Sequence, residues 1–301
     1  MTRPIRSAAL VVNARSRSGQ AQFAEVCGLL DNLPYPVDSH AVEDPKQLNA
    51  TLDTALEKKP DLVILGGGDG TISGLVDRLV GANVILGVLP FGTANSFARS
   101  LGIPLDMAGA VEVLASGAPR RIDLGMIDND YYANCAALGL SPQIAQTVPH
   151  GLKRYFGRAG YLAWAAVQFA KFRPFTLIVE EDGKRHEMKV VEVRISNGPY
   201  HGGTELVDAA EIDSGQIVVQ AVKGHVKRRL VRNWAANVLR LDARHDDVVD
   251  FTGKSLRIET RPPLPISIDG EVLAKTPVTA KIAAGVIEVM APRPETPQPA
   301  G

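Results

Sequence analysis

The sequence predicts an α/β plus β fold, in which a parallel-sheet α/β half comes first and a mainly antiparallel β half follows. Short apolar segments alternate with helical patterns up to about residue 118, which is typical of a parallel sheet. Beyond that point, strand patterns follow one another with few helices between them. The 301 residues also exceed what one hydrophobic core usually supports, so two domains are expected.

The N-terminal half repeats the order strand, polar loop, helix. Its strands are predicted at residues 8–12, 36–41, 61–65 and 84–89. A helix ending at Leu30 follows the first strand, and Pro45, which suits a first helical turn, opens the second helix. A third helix follows the third strand, and a fourth is predicted over residues 94–101 with Thr93 as its N-cap.

The C-terminal half is predicted to be mostly antiparallel. Its strands are expected at residues 121–127, 131–138, 190–196, 216–222, 255–260, 266–268, 278–282 and 286–290. Asp182-Gly183, between two alternating runs, is a strong hairpin signal.

Two helices are predicted in this half. The first covers residues 152–172 and is apolar, which favours a buried helix over a groove for acyl chains. The second covers residues 226–241 and carries basic side chains. It is either a solvated docking helix, the interpretation we favour, or a face for anionic lipid headgroups.

The third predicted strand leads into four glycines around one carboxylate, in the order Gly66-Gly67-Gly68-Asp69-Gly70-Thr71. Glycine lets a ligand approach the main chain, and the helix that follows offers unpaired N–H groups at its positive end. This stretch is suited to holding phosphate, although a tight strand-to-helix turn is the alternative. Because ligands bind outside the carboxyl ends of parallel strands, the loops at Asn13, Gly67 and Gly92 are expected to meet at one crevice.

Composition limits the classes of partner. The formal charge is zero, from 33 basic and 33 acidic side chains, which argues against nucleic acid as the main partner. Cys27 and Cys135 lie in apolar surroundings, as buried thiols of a reducing compartment do. No secretory signal is recognised, and the longest apolar segment, residues 159–170, is too short to cross a bilayer. We therefore expect a cytoplasmic protein, with contact at the inner membrane face left open.

Two motifs together carry a family resemblance. Leu65-Gly66-Gly67-Gly68-Asp69-Gly70-Thr71 is followed about two dozen residues later by Leu89-Pro90-Phe91-Gly92-Thr93-Ala94-Asn95-Ser96-Phe97-Ala98-Arg99. This pair resembles the catalytic domain of diacylglycerol and sphingosine kinases, and in particular their soluble bacterial lipid-kinase branch. Further matches are residues 13–19, 121–125 and 268–271. The glycine motif alone also occurs in phosphofructokinases and NAD kinases.

The resemblance implies two domains and a reaction. Residues 1–120 would be the α/β nucleotide-binding domain, residues 121–291 a β-sandwich lipid-substrate domain, and residues 292–301 a disordered proline-rich tail, with the active site in the cleft between the domains. The γ-phosphoryl group of ATP would be transferred to a lipid hydroxyl with Mg²⁺ as cofactor. The acceptor would be diacylglycerol-like, phosphatidylglycerol or a sphingoid lipid at a membrane surface, in phospholipid metabolism. A homodimer is left open.

The resemblance also assigns roles to residues. The nucleotide would be bound by Asn13, Gly67, Gly68, Asp69, Gly70, Thr71, Thr93 and Asn95. Glu271 matches the family's catalytic base, and Asp69 would act on the metal. Asp123 matches a metal-network aspartate, for which a strand-edge hydrogen bond is the alternative. A structural Mg²⁺ site would involve Glu211, Asp213, Ser214 and Gln216.

The sequence departs from the family pattern at three places. Ser96 and Ser214 stand where relatives usually carry aspartate, and residues 40–42 lack a common threonine. These departures keep two alternatives open. One is an NAD kinase, which shares the glycine loop, and the other is a nucleotide- or lipid-binding regulator with weakened catalysis.

Overall fold

The computed structural model describes residues 4–15, 17–147, 164, 167–168, 172–224, 248–268 and 271–293. Its N-terminal half contains four parallel strands in the order β2-β1-β3-β4. These strands are β1 (Ala8–Asn13), β2 (Val37–Val42), β3 (Leu62–Gly67) and β4 (Ile85–Pro90). The helices of this half are α1 (Arg17–Leu30), α2 (Leu48–Glu57), α3 (Asp69–Val76), α4 (Ser96–Ser100) and α5 (Met107–Ser116), with 3₁₀ turns at Pro45–Gln47 and Asp77–Leu79.

The central strands of this half are buried on both faces. Every residue of β3 and of β4 is buried, which explains why both sequences are apolar without alternation. The carboxyl ends of β1, β3 and β4 lie at one edge of the sheet, because the three strands are parallel and in register. This edge carries Asn13, the glycine stretch and the loop after Pro90.

The C-terminal half is antiparallel, and its strand β17 joins it to the first half. β17 pairs antiparallel with β5 and β14, and through Glu288 and Val289 it also pairs parallel with β4. Among the described residues, one hydrogen-bonded sheet of 15 strands therefore passes through both halves. The elements of this half are β5 (Ala118–Ile127), β6 (Asp130–Tyr132), β7 (Cys135–Gly139), α6 (Leu140–Thr147), β8 (Phe175–Glu181), β9 (Lys184–Ser196), β10 (Tyr200–His201), β11 (Thr204–Glu205), β12 (Ile217–Lys223), β13 (Val248–Gly253), β14 (Ser255–Arg261), β15 (Pro265–Ile268), β16 (Glu271–Lys275) and β17 (Val278–Ala291).

Each half has a large hydrophobic core among its described residues. One forms around the parallel strands and α1 to α5. The other forms between strands of the antiparallel half, with Tyr132, Val193 and Phe251 among its buried members. The predicted order, a parallel α/β half followed by an antiparallel half, is confirmed. The hairpin predicted at Asp182-Gly183 is also present, as the turn between β8 and β9.

Several predicted boundaries were wrong. The helix predicted over residues 94–101 is the shorter α4, and its N-cap is Asn95 rather than Thr93. Asn95 has a left-handed backbone, with φ of 49°, so the chain turns into the helix two residues later than predicted. The two strands predicted at 278–282 and 286–290 are the single strand β17, in which the pairing with β5 shifts register between Ala283 and Ile287.

Sequence reasoning also missed elements. Helix α5 was not predicted, although the Asp106 carboxylate caps it by accepting a hydrogen bond from the Gly109 amide at 2.8 Å. The elements α6, β13 and β16 were not predicted either. The helices predicted at 152–172 and 226–241 lie almost wholly outside the described residues, as do Asp269-Gly270 and the tail from residue 294. Within the part of the chain that the structure describes, no helix combines the length and the hydropathy that crossing a bilayer requires.

Asp123 connects several segments at the junction of the two halves. Its side chain is buried, and its Oδ2 and Oδ1 accept hydrogen bonds from the amides of Gly215 at 2.6 Å and Gly285 at 2.8 Å. Its own amide donates to the Ile212 carbonyl at 2.8 Å, and its carbonyl accepts from Asn197 Nδ2 at 2.8 Å. One residue of β5 thus holds the 211–216 loop, β17 and the segment after β9 together.

Replacing Asp123 with alanine should therefore destabilise the protein. Two hydrogen bonds to a buried charged group are lost, so we expect the free energy of unfolding to fall by about 3–5 kcal/mol, measured by urea denaturation. Asp213→Ala is the control, because it removes only a partly exposed ion pair with Arg120, and it should cost less than about 1 kcal/mol. Equal effects of the two substitutions would contradict this role of Asp123.

Candidate active site

A cleft of about 790 Å³ lies at the carboxyl edge of the parallel strands. Its lining includes residues of the first loop, of the glycine stretch, of the loop after β4 and of the C-terminal half. Among them are Asn13, Gly67, Gly68, Gly70, Thr71 and Glu271. The crevice expected from the strand order is therefore present, and it brings together most of the nucleotide-binding residues predicted from the sequence.

The glycine stretch begins α3. β3 ends at Gly67, Gly68 is the extended N-cap, and Asp69 is the first helical residue. The amides of Thr71 and Ile72 donate to the Gly68 carbonyl at 2.9 and 3.1 Å. The amides that precede them lie at the positive end of the helix, where anions are favoured.

The loop after β4 packs directly on this stretch. A Cβ atom added to Gly92 would lie 2.5 Å from the Gly68 Cα atom, and one added to Gly68 would lie 3.1 Å from the Gly92 Cα atom. A side chain at position 92 would therefore collide with the Gly68 backbone, and one at position 68 would make an unusually tight contact. The two glycine motifs recognised in the sequence are therefore in contact.

Asn95 shapes the second of these loops. Its Oδ1 accepts from the Gly92 amide at 2.9 Å, and its Nδ2 donates to the carbonyls of Pro90 at 3.2 Å and Gly92 at 2.7 Å. The side chain is buried, so Asn95 stabilises the conformation of the loop from its interior side. Thr93 is exposed, and among the described residues that line the cleft it does not occur.

Asn13 joins the first loop to the glycine stretch. Its Nδ2 donates to Thr71 Oγ1 at 3.2 Å, and its Oδ1 accepts from the Arg15 amide at 3.3 Å. Asn13 and Thr71 both line the cleft. Three loops from three parallel strands are thus tied to one another by hydrogen bonds or by backbone contact.

Of the two carboxylates predicted to be catalytic, Glu271 lines this cleft, whereas Asp69 is not among its described lining residues. Asp69 is half-buried, and its Oδ1 accepts from the Phe97 amide at 2.9 Å, which fixes the glycine stretch to the start of α4. Glu271 is the exposed first residue of β16, opposite Ile268 in the β15–β16 hairpin. The C-terminal half therefore contributes an acidic side chain to a cleft otherwise built by the N-terminal half.

The residues predicted to bind a structural metal are grouped elsewhere. Asp213 forms an ion pair with Arg120, and Glu211 has an exposed side chain. Ser214 Oγ lies 3.0 Å from the Glu211 carbonyl and 3.3 Å from the Gln216 carbonyl. Across the described ranges, no cluster of three or more histidine, cysteine, aspartate or glutamate side chains has metal-binding geometry.

Family models match both halves of the chain. Residues 7–127 match the diacylglycerol kinase catalytic domain, and residues 135–291 match the YegS C-terminal NAD kinase beta sandwich-like domain. Together these matches bear out the predicted fold class, an α/β domain followed by a β-sandwich-like domain.

Curated relatives cover most of the chain. A probable lipid kinase YegS-like protein of Chromohalobacter salexigens is 30% identical over 236 residues, which cover 76% of each chain. A diacylglycerol kinase of Staphylococcus aureus (strain bovine RF122 / ET3-1) is 28% identical over 290 residues, or 91% of this chain and 90% of that protein.

A solved structure shows the same fold. The crystal structure of a diacylglycerol kinase from Bacillus anthracis strain Sterne superposes with a TM-score of 0.74 at 20% identity, and it covers 97% of this chain and 99% of the solved one. From its two domain matches and its relatives, the chain belongs to the diacylglycerol kinase catalytic domain family of lipid kinases, with the C-terminal domain of the YegS type.

Proposed function

We propose that this chain is an ATP- and Mg²⁺-dependent lipid kinase that transfers the γ-phosphoryl group of ATP to a lipid hydroxyl. The observation that carries the proposal is the cleft in which Glu271 of the C-terminal half and the glycine stretch of the N-terminal half line one volume. Phosphoryl transfer requires a held nucleotide, neutralised charge and a group that orients the acceptor. The cleft is lined by residues suited to holding the nucleotide and orienting the acceptor, and Asp69, between Gly68 and Gly70 in the chain, would hold the metal.

The N-terminal half would bind ATP. The backbone at Gly67, Gly68 and Gly70 and the hydroxyl of Thr71 would hold the phosphates, because main-chain amides at the start of α3 favour anions. Asn13 donates to Thr71 Oγ1 and would orient that hydroxyl. Asn95 would act indirectly, by fixing the conformation of the loop after β4. Thr93, which is exposed on this loop, would flank the nucleotide.

Asp69 fits a catalytic Mg²⁺. Its Oδ1 accepts a hydrogen bond from the Phe97 amide, and carboxylate oxygens are ligands that Mg²⁺ prefers. When bound, the metal would neutralise charge on the transferring phosphate. Asp123 is less suited to binding the metal, because both of its carboxylate oxygens accept hydrogen bonds from backbone amides. We assign it a structural role at the junction of the two halves.

The 211–216 loop does not fit a second, structural Mg²⁺. Such a site needs carboxylate charge and free carbonyl oxygens in near-octahedral geometry. Here the Asp213 carboxylate is paired with Arg120, and the Ser214 hydroxyl bonds the Glu211 carbonyl. The neutral hydroxyl of Ser214 thus forms a hydrogen bond within the loop, at the position where the family would have an aspartate that binds the metal.

Glu271 would act as the general base. Its carboxylate is exposed to the cleft, so it can accept a proton from the acceptor hydroxyl as the new bond to phosphorus forms. Residues 121–291 would then be the lipid-substrate domain and residues 1–120 the nucleotide domain. The names of the relatives, diacylglycerol kinase and YegS-like lipid kinase, support a lipid acceptor. We propose a diacylglycerol-like, phosphatidylglycerol or sphingoid lipid at a membrane surface.

The test of the function is transfer of label from γ-labelled ATP to a lipid. The wild-type chain is expected to label at least one member of a panel of diacylglycerol, phosphatidylglycerol, ceramide and sphingoid bases. Glu271→Gln should lower kcat by about 10²- to 10⁴-fold and leave the thermal shift with Mg-ATP in place.

Glu259→Gln is the matched control, because Glu259 lies on β14 and pairs with Arg261, and its activity should equal that of the wild type. Tight ATP binding without turnover on any lipid would contradict the proposal and favour a regulator. Phosphorylation of NAD in place of a lipid would favour an NAD kinase.

The loop at Ser214 gives a separate prediction about metal dependence. We expect the rise in Tm on adding Mg²⁺, without nucleotide, to be the same in the wild type and in Ser214→Ala, because the hydroxyl is not a metal ligand. Ser214→Asp supplies a carboxylate beside the same carbonyls, and its Tm should rise more with Mg²⁺ than that of the wild type. A smaller Mg²⁺ effect in Ser214→Ala, or no larger effect in Ser214→Asp, would contradict this account of the loop.

A further inference from the structure

Strand β16 carries two adjacent apolar side chains on the surface, directly after Glu271. Val272 is 47% exposed and Leu273 is 60% exposed. Among the described residues, Val167 is the only other large apolar side chain that is exposed to this degree. Single exposed apolar residues are common, but an adjacent pair beside a residue that lines the cleft indicates a contact surface.

The exposed pair belongs to a hairpin that is packed on the rest of the C-terminal half. The partner strand β15 also pairs with β7, and its residues from Ile266 to Ile268 are buried. On β16 itself, Ala274 packs against the hydrophobic core of the antiparallel half. The two exposed side chains therefore lie between Glu271, which lines the cleft, and Ala274, where the strand returns to the core.

A β-bulge explains why two consecutive residues of β16 are exposed. Ile266 lies opposite Ala274 and Ser267 lies opposite Val272, so Leu273 is an extra residue with no opposite residue in β15. A bulge interrupts the regular pairing and bends the strand, and it can change the direction of a side chain next to an active site. In a regular strand, by contrast, neighbouring side chains point to opposite faces of the sheet.

The same bulge argues against a further β-strand as the partner of this surface. Among the described strands, β16 is at the end of the sheet and pairs only with β15. A bulge in an edge strand, and a lysine such as Lys275 on it, are features by which natural proteins prevent pairing with another strand. Apolar side chains on such a strand suit a partner without a fixed pattern of hydrogen bonds. The boundary between the headgroups and the acyl chains of a bilayer is a partner of this kind.

We propose that Val272 and Leu273 insert into the surface of the bilayer that contains the acceptor lipid, and so place Glu271 at the level of the headgroups. Strand residues are about 3.3 Å apart, so Leu273 lies about 7 Å along the strand from Glu271. Interfacial apolar groups enter the boundary of headgroups and acyl chains by about 5–10 Å, so the two lengths match. This inference rests on the proposed lipid kinase function, and it names the surface through which that site meets its lipid.

Binding to vesicles tests the contact without catalysis. The wild type is expected to co-sediment, in the absence of ATP, with vesicles made of equal parts of phosphatidylcholine and phosphatidylglycerol. The double variant Val272→Ser/Leu273→Ser should bind them about tenfold more weakly, because two apolar side chains no longer leave water. Val248→Ser is the control, since Val248 is a partly exposed residue of β13, which also has one described partner strand. This control should bind the vesicles as the wild type does.

Kinetics separate the surface contact from the chemistry. With the acceptor embedded in vesicles, kcat/KM of the double variant should fall about tenfold, in line with its weaker binding. With a short-chain diacylglycerol dissolved as monomers, kcat/KM should equal that of the wild type, because Glu271 and the glycine stretch are unchanged. The KM for ATP should be unchanged in both assays.

A tryptophan at position 273 reports insertion directly. Brominated acyl chains quench tryptophan fluorescence on contact, so Leu273→Trp should show more quenching by brominated vesicles than the wild type, whose own tryptophans are Trp164 and Trp234. Equal quenching in the two proteins would contradict insertion of this residue.

The outcomes separate the membrane contact from the kinase function. If the wild type does not bind the vesicles, or if the double variant binds them equally well, the membrane contact is overturned. It is also overturned if the double variant loses a dimer that the wild type forms in solution while vesicle binding is unchanged, because the exposed pair is then an interface between two copies. If vesicle binding depends on the pair but no lipid is labelled, the membrane contact stands and the proposed kinase function fails.

Discussion

The contact between the backbones of Gly68 and Gly92 is the constraint on which the cleft depends. It is possible because β3 and β4 are parallel neighbours that end at the same edge, at Gly67 and Pro90. A side chain at Gly92 would force the loops apart, because its Cβ atom would lie 2.5 Å from the Gly68 Cα atom. Once the loops touch, Asp69 can reach the Phe97 amide, and the start of α3 and the start of α4 are fixed relative to each other. The proposed phosphate site and the proposed metal carboxylate therefore both depend on one packing contact.

Strand β17 joins the C-terminal half to the N-terminal half, so that both halves can contribute residues to the same cleft. It pairs with β4 of the N-terminal half and with β5 and β14 of the C-terminal half. The hydrogen bonds of Asp123 to Gly215 and Gly285 reinforce this junction with a buried charge. Through this junction the half that carries Glu271 is joined to the half that carries the glycine stretch, and both contribute to the lining of one cleft. Such an arrangement would suit the proposed reaction, in which positioning supplies much of the rate.

The sequence predicts the parallel half well because its strands are short apolar runs bounded by polar loops, as at β3, and because glycine motifs mark the loops. Thr93 was wrongly predicted as the N-cap. The side-chain amide of Asn95 donates hydrogen bonds to the carbonyls of Pro90 and Gly92, and residue preferences for the N-cap position do not include this requirement of the loop. β16 escaped notice because Val272 and Leu273 are 47% and 60% exposed and show no alternation. Helix α5 was missed although Asp106 at its N-cap and Gly117 at its C-cap mark both of its ends. The partners of Asp123 and Ser96 lie about 90 to 160 residues away in sequence, so periodicity and local motifs could not reveal them.

The central claim is that the nucleotide lies between Asp69 and Glu271, with its phosphates on the glycine stretch. A crystal structure of the chain with Mg²⁺ and a non-hydrolysable ATP analogue tests this claim most directly. We expect the phosphates against the amides at the start of α3, the metal on Asp69, and the γ-phosphorus facing Glu271. A nucleotide bound elsewhere, or a γ-phosphorus turned away from Glu271, would contradict the account.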